Sequence, residues 1–133
     1  MVKRENELAK VVVDVALQIH RQLGPGLLES VYLAVMAHEL RKAGLSLATE
    51  VPVPVYWDGF QLEVGFRADL IVEGKLVVKL KSLEQVSSVH KKQLLTYLRL
   101  ADCRLGLLIN FGNELLKDGL FRIVNGLPDD QSP

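Results

Sequence analysis

The sequence predicts a mixed α/β domain built on a central sheet, with its elements in the order ααββββαββ. Three observations lead there. Apolar residues recur at helical spacing in three separate segments. Between the second and third of these the period shifts to two, as strands require. After the third comes Arg104 to Asn110, almost wholly apolar, the composition of a short strand buried on both faces. A length of 133 residues is that of one domain, and 49% apolar residues suffice for a core.

The first helix is Asn6 to Leu23, where Leu8, Val11, Val12, Val15, Ile19 and Leu23 recur at helical spacing; Gly24-Pro25-Gly26 ends it. The second runs from about Leu27 to Ala43 on the apolar face Leu28, Val31, Val35 and Leu40, and Gly44 closes it. Val51, Val53 and Val55 then alternate with Pro52, Pro54 and Tyr56. Neither proline can donate to a ladder, so this is an edge strand. Asp58-Gly59 signals a hairpin. Strands follow at Phe60 to Val64, Phe66 to Val72 and Leu76 to Lys81, with Gly74 turning between the last two. The third helix covers about Ser87 to Leu100, with Ser87 or Ser88 as N-cap. Asn113 to Lys117 reads as a turn or short helix, and Leu120 to Val124 as the last strand. The domain is expected to span residues 1–126, leaving 127–133 as a polar, proline-flanked disordered tail.

Composition excludes several classes. Lys and Arg number 16, and so do Asp and Glu, so the chain is no polycation built to coat nucleic acid. The charge is uneven, however. Lys75 to Arg104 holds seven Lys or Arg against two acids, Glu84 and Asp102, a local balance of +5. That suits an anionic partner or a solvated basic face equally. Cys103 is the only cysteine, which rules out an intrachain disulfide and fits a reducing cytosol. With His20, His38 and His90 as its only histidines, the chain has no zinc-type cluster. No apolar run approaches the roughly 20 residues that span a bilayer. Asp14 interrupts the valines that would have to form a signal-peptide core. The expectation is a cytoplasmic protein with no membrane partner. Its helices offer apolar surface for self-association, but a homo-oligomer is not assignable from sequence.

Strand geometry gathers charged residues in one place. A two-residue loop at Glu73-Gly74 would pair Ala68 with Lys79 and mix apolar and charged side chains on both faces. An odd-length loop instead puts Ala68, Leu70 and Val72 on one face with Leu76, Val78 and Leu80. The other face then carries Asp69, Ile71, Val77, Lys79 and Lys81, so Asp69, Lys79 and Lys81 point the same way. On the third helix His90, Gln93 and Tyr97 lie at i, i+3 and i+7 and form a polar stripe that could face the same cleft. On spacing alone, Gln93 is more simply a solvated residue and Tyr97 a rim residue of the core. Glu29 and Tyr32 sit at i and i+3 just after Gly26. On spacing alone, Glu29 is a first-turn acid that complements the helix dipole, worth at most about 1 kcal/mol.

Gly26-Leu27-Leu28-Glu29-Ser30-Val31-Tyr32 reads G-x-x-E-x-x-Y and resembles the signature of the GxxExxY protein family, placed within the PD-(D/E)XK nuclease superfamily. The resemblance also takes in His20 to Gly26, Arg67-Ala68-Asp69-Leu70, the Gln93-x-x-x-Tyr97 spacing and Gly106 to Phe111. It covers nearly the whole chain, to about Gly126. It implies a restriction-endonuclease-like core and phosphodiester hydrolysis dependent on Mg2+ or Mn2+, with nucleic acid, DNA more than RNA, as partner. By that resemblance Glu29 is the helical acid and Asp69 the first strand ligand, and these two are the metal ligands. Lys79 stands at the position of the second acid, and Lys81 is the catalytic lysine. Gln93 and Tyr97 resemble the Q-x-x-x-Y element of the RecB-like and lambda-exonuclease-like branches, which positions substrate or the lysine. Magnesium wants hard oxygen ligands. The bound ion lowers the pKa of a water and stabilises charge on the phosphate. A lysine beside it orients or deprotonates that water and offsets developing charge.

Lys79 departs from this pattern. An ammonium in place of a carboxylate shifts the local charge by two units and removes an oxygen ligand. Two lysines and two acids leave the cluster near neutral where a dication must bind, and Asp69 and Lys79 can pair across the hairpin. Glu73 in the turn and Glu84 beyond the strand are poorly placed to substitute. Two functions follow. One is a nuclease-like protein of weak or absent activity; the other is a catalytically inactive nuclease-fold module that binds nucleic acid or a protein partner.

Overall fold

The change of apolar period marks where the chain leaves two helices for a sheet. The computed structural model describes residues 3–128, without the side chains of 63–65. Helices α1 (Glu5–Leu23) and α2 (Glu29–Lys42) come first, then strands β1 (Leu47–Trp57), β2 (Phe60–Val72) and β3 (Leu76–Lys81). Helix α3 (Ser88–Ala101) leads to β4 (Leu105–Asn110), a 3-10 turn at Leu116–Gly119 and β5 (Leu120–Val124). The mixed α/β class stands, with one correction. Phe60 to Val64 and Phe66 to Val72 are a single strand, so the order is ααβββαββ with five strands. The reason is pairing: β1 matches β2 from Trp57↔Phe60 to Leu47↔Val72, and a register shift between Val53 and Val55 absorbs the difference in length.

The sheet runs in the order β1-β2-β3-β4-β5. Only β3 and β4 are parallel, joined by the crossover helix α3. The prolines put β1 on an edge, as their missing donors require. Strand β4 lies inside the sheet with all six residues buried. Two apolar clusters cover the two faces. Leu8, Val12, Tyr32, Met36 and Leu40 of α1 and α2 pack on Leu70, Val72, Leu76, Val78, Leu80 and Ile109. Leu94, Tyr97 and Leu98 of α3 pack on Val53, Ala68, Val77 and Leu108. Gly106 lets α3 lie close, because a Cβ there would come within 3.1 Å of Leu94 and Leu98. Leu127 packs against the first cluster, so the ordered core reaches past Gly126. The rest of the expected tail, 129–133, lies outside the described residues. No described helix is long and apolar enough to cross a membrane.

Candidate functional site

Strands β2 and β3 pair through Val72↔Leu76, Ile71↔Val77 and Leu70↔Val78 around the three-residue turn Glu73 to Lys75, the odd-length loop that the apolar pattern demands. Beyond Leu70↔Val78 the ladder stops, and the Asp69 side chain takes over its role. The Leu80 amide donates to Asp69 Oδ2 at 2.6 Å. Lys79 Nζ lies 3.6 Å from the same oxygen. It also donates to the Arg67 carbonyl at 3.3 Å and sits 5.9 Å from the centre of the Tyr97 ring. Both charged side chains are largely buried, with 15% of Asp69 and 20% of Lys79 exposed. The Tyr97 hydroxyl accepts the Arg67 amide proton at 3.2 Å, and its ring meets Phe66 edge-on at 4.4 Å. Asp69, Lys79 and Tyr97 therefore meet on the α3 side of the sheet. Lys81, two residues along β3, is half-buried.

Ala68 differs from expectation. It packs with the α3 cluster, while Leu70 and Val72 pack with the α1–α2 cluster. Between the pairs Thr49↔Leu70 and Val51↔Ala68, Glu50 takes a φ of 50°. That left-handed residue interrupts the alternation beside Asp69. The strand pair changes its packing partner where the candidate site begins.

Glu29 stands at the start of α2. It is exposed and lines a cleft of about 560 Å³ with Gly26, Ser82, Leu83, Glu84 and Gly112. Asp69 and Lys79 are not among its walls. Glu84 joins Glu29 there, whereas Glu73 binds back to Ser46. The Ser46 hydroxyl and amide both donate to the Glu73 carboxylate and hold it below its ordinary range. Neither acid reaches Asp69. The expected stripe on α3 also divides: His90 Nδ1 accepts the Ser87 amide proton at 3.0 Å and caps the helix, Gln93 is exposed, and Tyr97 is in the core. Glu29, Lys81 and Gln93 make no side-chain hydrogen bond or ion pair among the described residues.

The structural roles of two framing residues were hidden from sequence reasoning. Tyr32 is fully buried and stacks on Phe111 at 4.2 Å. Its hydroxyl donates to the Gly24 carbonyl at 2.6 Å and accepts the Leu27 amide proton at 3.2 Å. The signature tyrosine thus clasps the turn that precedes Glu29, which is also why α2 starts at Glu29 and not at Leu27. Asn110 is fully buried with four partners. Its Oδ1 accepts from the amides of Leu83 (2.9 Å) and Gly112 (3.2 Å), and its Nδ2 donates to the Leu83 carbonyl (2.9 Å) and Asn113 Oδ1 (2.7 Å). His20 Nε2 donates to the Asn113 carbonyl at 2.8 Å and extends the network to α1. Gly112 must be glycine, since a Cβ would fall 2.0 Å from the Leu83 carbonyl oxygen. The available signal was a lone amide closing an otherwise apolar strand.

The residues at the fork where β2 and β3 part beyond Leu70↔Val78 do not suit a dication. A magnesium site needs several hard oxygen ligands around one point. Here Asp69 Oδ2 is already shared by an amide and an ammonium. Among the described residues no group of three or more His, Cys, Asp or Glu side chains could hold a metal ion.

A five-stranded mixed sheet with two helices on one face and a crossover helix on the other defines a restriction-endonuclease-like α/β domain. The chain belongs to the PD-(D/E)XK nuclease superfamily, whose family model matches residues 6–123. Nucleases of that superfamily generally depend on divalent metals and act on nucleic acid. No curated protein and no solved structure matches the chain.

Proposed function

We propose that this chain is a nuclease-fold protein of the GxxExxY kind that binds nucleic acid, DNA more than RNA, and cuts phosphodiesters weakly or not at all. One observation carries the reading: Lys79 Nζ lies 3.6 Å from Asp69 Oδ2, where a nuclease of this class would set a second carboxylate beside the first. In this reading Lys81 and Gln93 face the substrate, Tyr97 holds the β2 backbone through Arg67, and Glu29 serves the neighbouring cleft. The test is a calorimetric titration with Mn2+ of the natural chain and of Lys79→Glu, paired with a DNA cleavage assay. The variant should gain metal binding and some cleavage. Equal, absent binding in both forms would sink the nuclease-site reading.

A second reading has its own support. Tyr56, Trp57 and Phe60 are exposed at the tip of the β1–β2 hairpin, beside Leu62. Such a patch suits a protein partner. Gel-shift affinity that falls steeply with salt supports nucleic acid, because phosphate contacts release counterions. Undetectable or salt-independent association favours the protein partner.

A further inference from the structure

Lys79 does more than interrupt a metal site. Its ammonium carries three N–H groups. One is donated to the Arg67 carbonyl at 3.3 Å, and a second faces Asp69 Oδ2 at 3.6 Å. The Tyr97 ring, with its centre 5.9 Å away, supports the cation from the α3 side. A tethered positive charge thus stands beside the strand carboxylate, the place where this superfamily's active members hold a dication. The side chain keeps 20% of its surface exposed, and an ammonium has a third N–H to donate. Lys81 follows two residues later on the same strand. Arg67 adds a third cation at the fork, though Glu50 lies 3.7 Å from its guanidinium.

We propose that the Lys79 ammonium is a built-in replacement for the metal ion, and that with Lys81 it binds a backbone phosphate of nucleic acid without any divalent cation. The inference rests on the nucleic-acid reading above and assigns the role of the site within it. Asp69 then has an unusual sign. In a metal site an aspartate recruits the cation, so its loss weakens substrate binding. Here Asp69 partly neutralises a cation that is already present, so its loss frees Lys79 for phosphate.

The test is fluorescence anisotropy of a labelled single-stranded and a duplex DNA oligonucleotide, in EDTA and in Mg2+, over a range of salt. The natural chain should bind equally well in both conditions. Lys79→Gln should weaken binding severalfold and lower the slope of log affinity against log salt by about one, the loss of one phosphate contact. Lys79→Arg should restore both. Asp69→Asn keeps an oxygen for the Leu80 amide and should bind severalfold tighter than the natural chain, an outcome that does not depend on Lys79→Gln being foldable. Binding that requires Mg2+, an unchanged slope in Lys79→Gln, or equal or weaker binding by Asp69→Asn overturns the inference. No binding with or without Mg2+ removes the nucleic-acid reading itself.

Discussion

Glu29 and Asp69, the two acids implied as metal ligands, live under opposite conditions. Asp69 is largely buried and committed, its Oδ2 shared between the Leu80 amide and the Lys79 ammonium. Glu29 is exposed on the wall of a cleft and engages no side-chain partner among the described residues. The backbone around Glu29 is nonetheless tightly held. Tyr32 clasps the turn before it, Ser82 Oγ donates to the Leu27 carbonyl at 2.5 Å, and Asn110 fixes Leu83 across the cleft. One region spends its acid on closing the sheet, while the other holds its backbone and leaves its acid available. The two acids are thus framed by separate sets of hydrogen bonds.

That contrast can be broken at graded cost. Asn110→Ala strips the cleft of its clamp and leaves backbone groups of Leu83 and Gly112 without partners. A loss of about 3 kcal/mol is expected in chemical denaturation. Asp69→Ala removes the acceptor for Leu80 and strands a largely buried ammonium, for about 2 kcal/mol. Tyr32→Phe keeps the stack on Phe111 but releases the Gly24 carbonyl and Leu27 amide. It should cost about 1 kcal/mol and expose the Gly24 to Leu28 turn to proteolysis. Glu29→Ala should stay within about 0.5 kcal/mol of the natural chain. If Glu29→Ala proved as costly as Asp69→Ala, Glu29 would have an undetected structural partner and the contrast would collapse.

Much of the Asp69 side was legible in the chain. Period-two alternation is local, and an apolar face must be continuous across a buried hairpin, so the odd-length turn and the shared face of Asp69 and Lys79 follow from residue order. The break at Glu50 was not legible. It sends Ala68 to the other core, and nothing in Thr49-Glu50-Val51 marks a left-handed residue. Spacing on α3 named the right residues but not their fates. A polar stripe is a set of angles: His90 caps its own helix through Ser87, whereas Gln93 and Tyr97 separate into solvent and core only once α3 packs on β4 through Gly106.

By itself, then, the sequence determined the α/β class, the edge position of the proline-bearing strand, the buried β4 and the shared face of Asp69 and Lys79. Each depends on residues close in the chain or on hydrogen-bonding capacity that a residue carries everywhere. Only the tertiary structure decided that Glu29 stands exposed on a cleft wall while Asp69 is largely buried in an ion pair, that Tyr32 clasps a turn, and that Asn110 locks the end of β3 to the end of β4. Those outcomes depend on how α2 and the loop after β3 approach one another across more than fifty residues of chain, a distance over which local patterning carries no information.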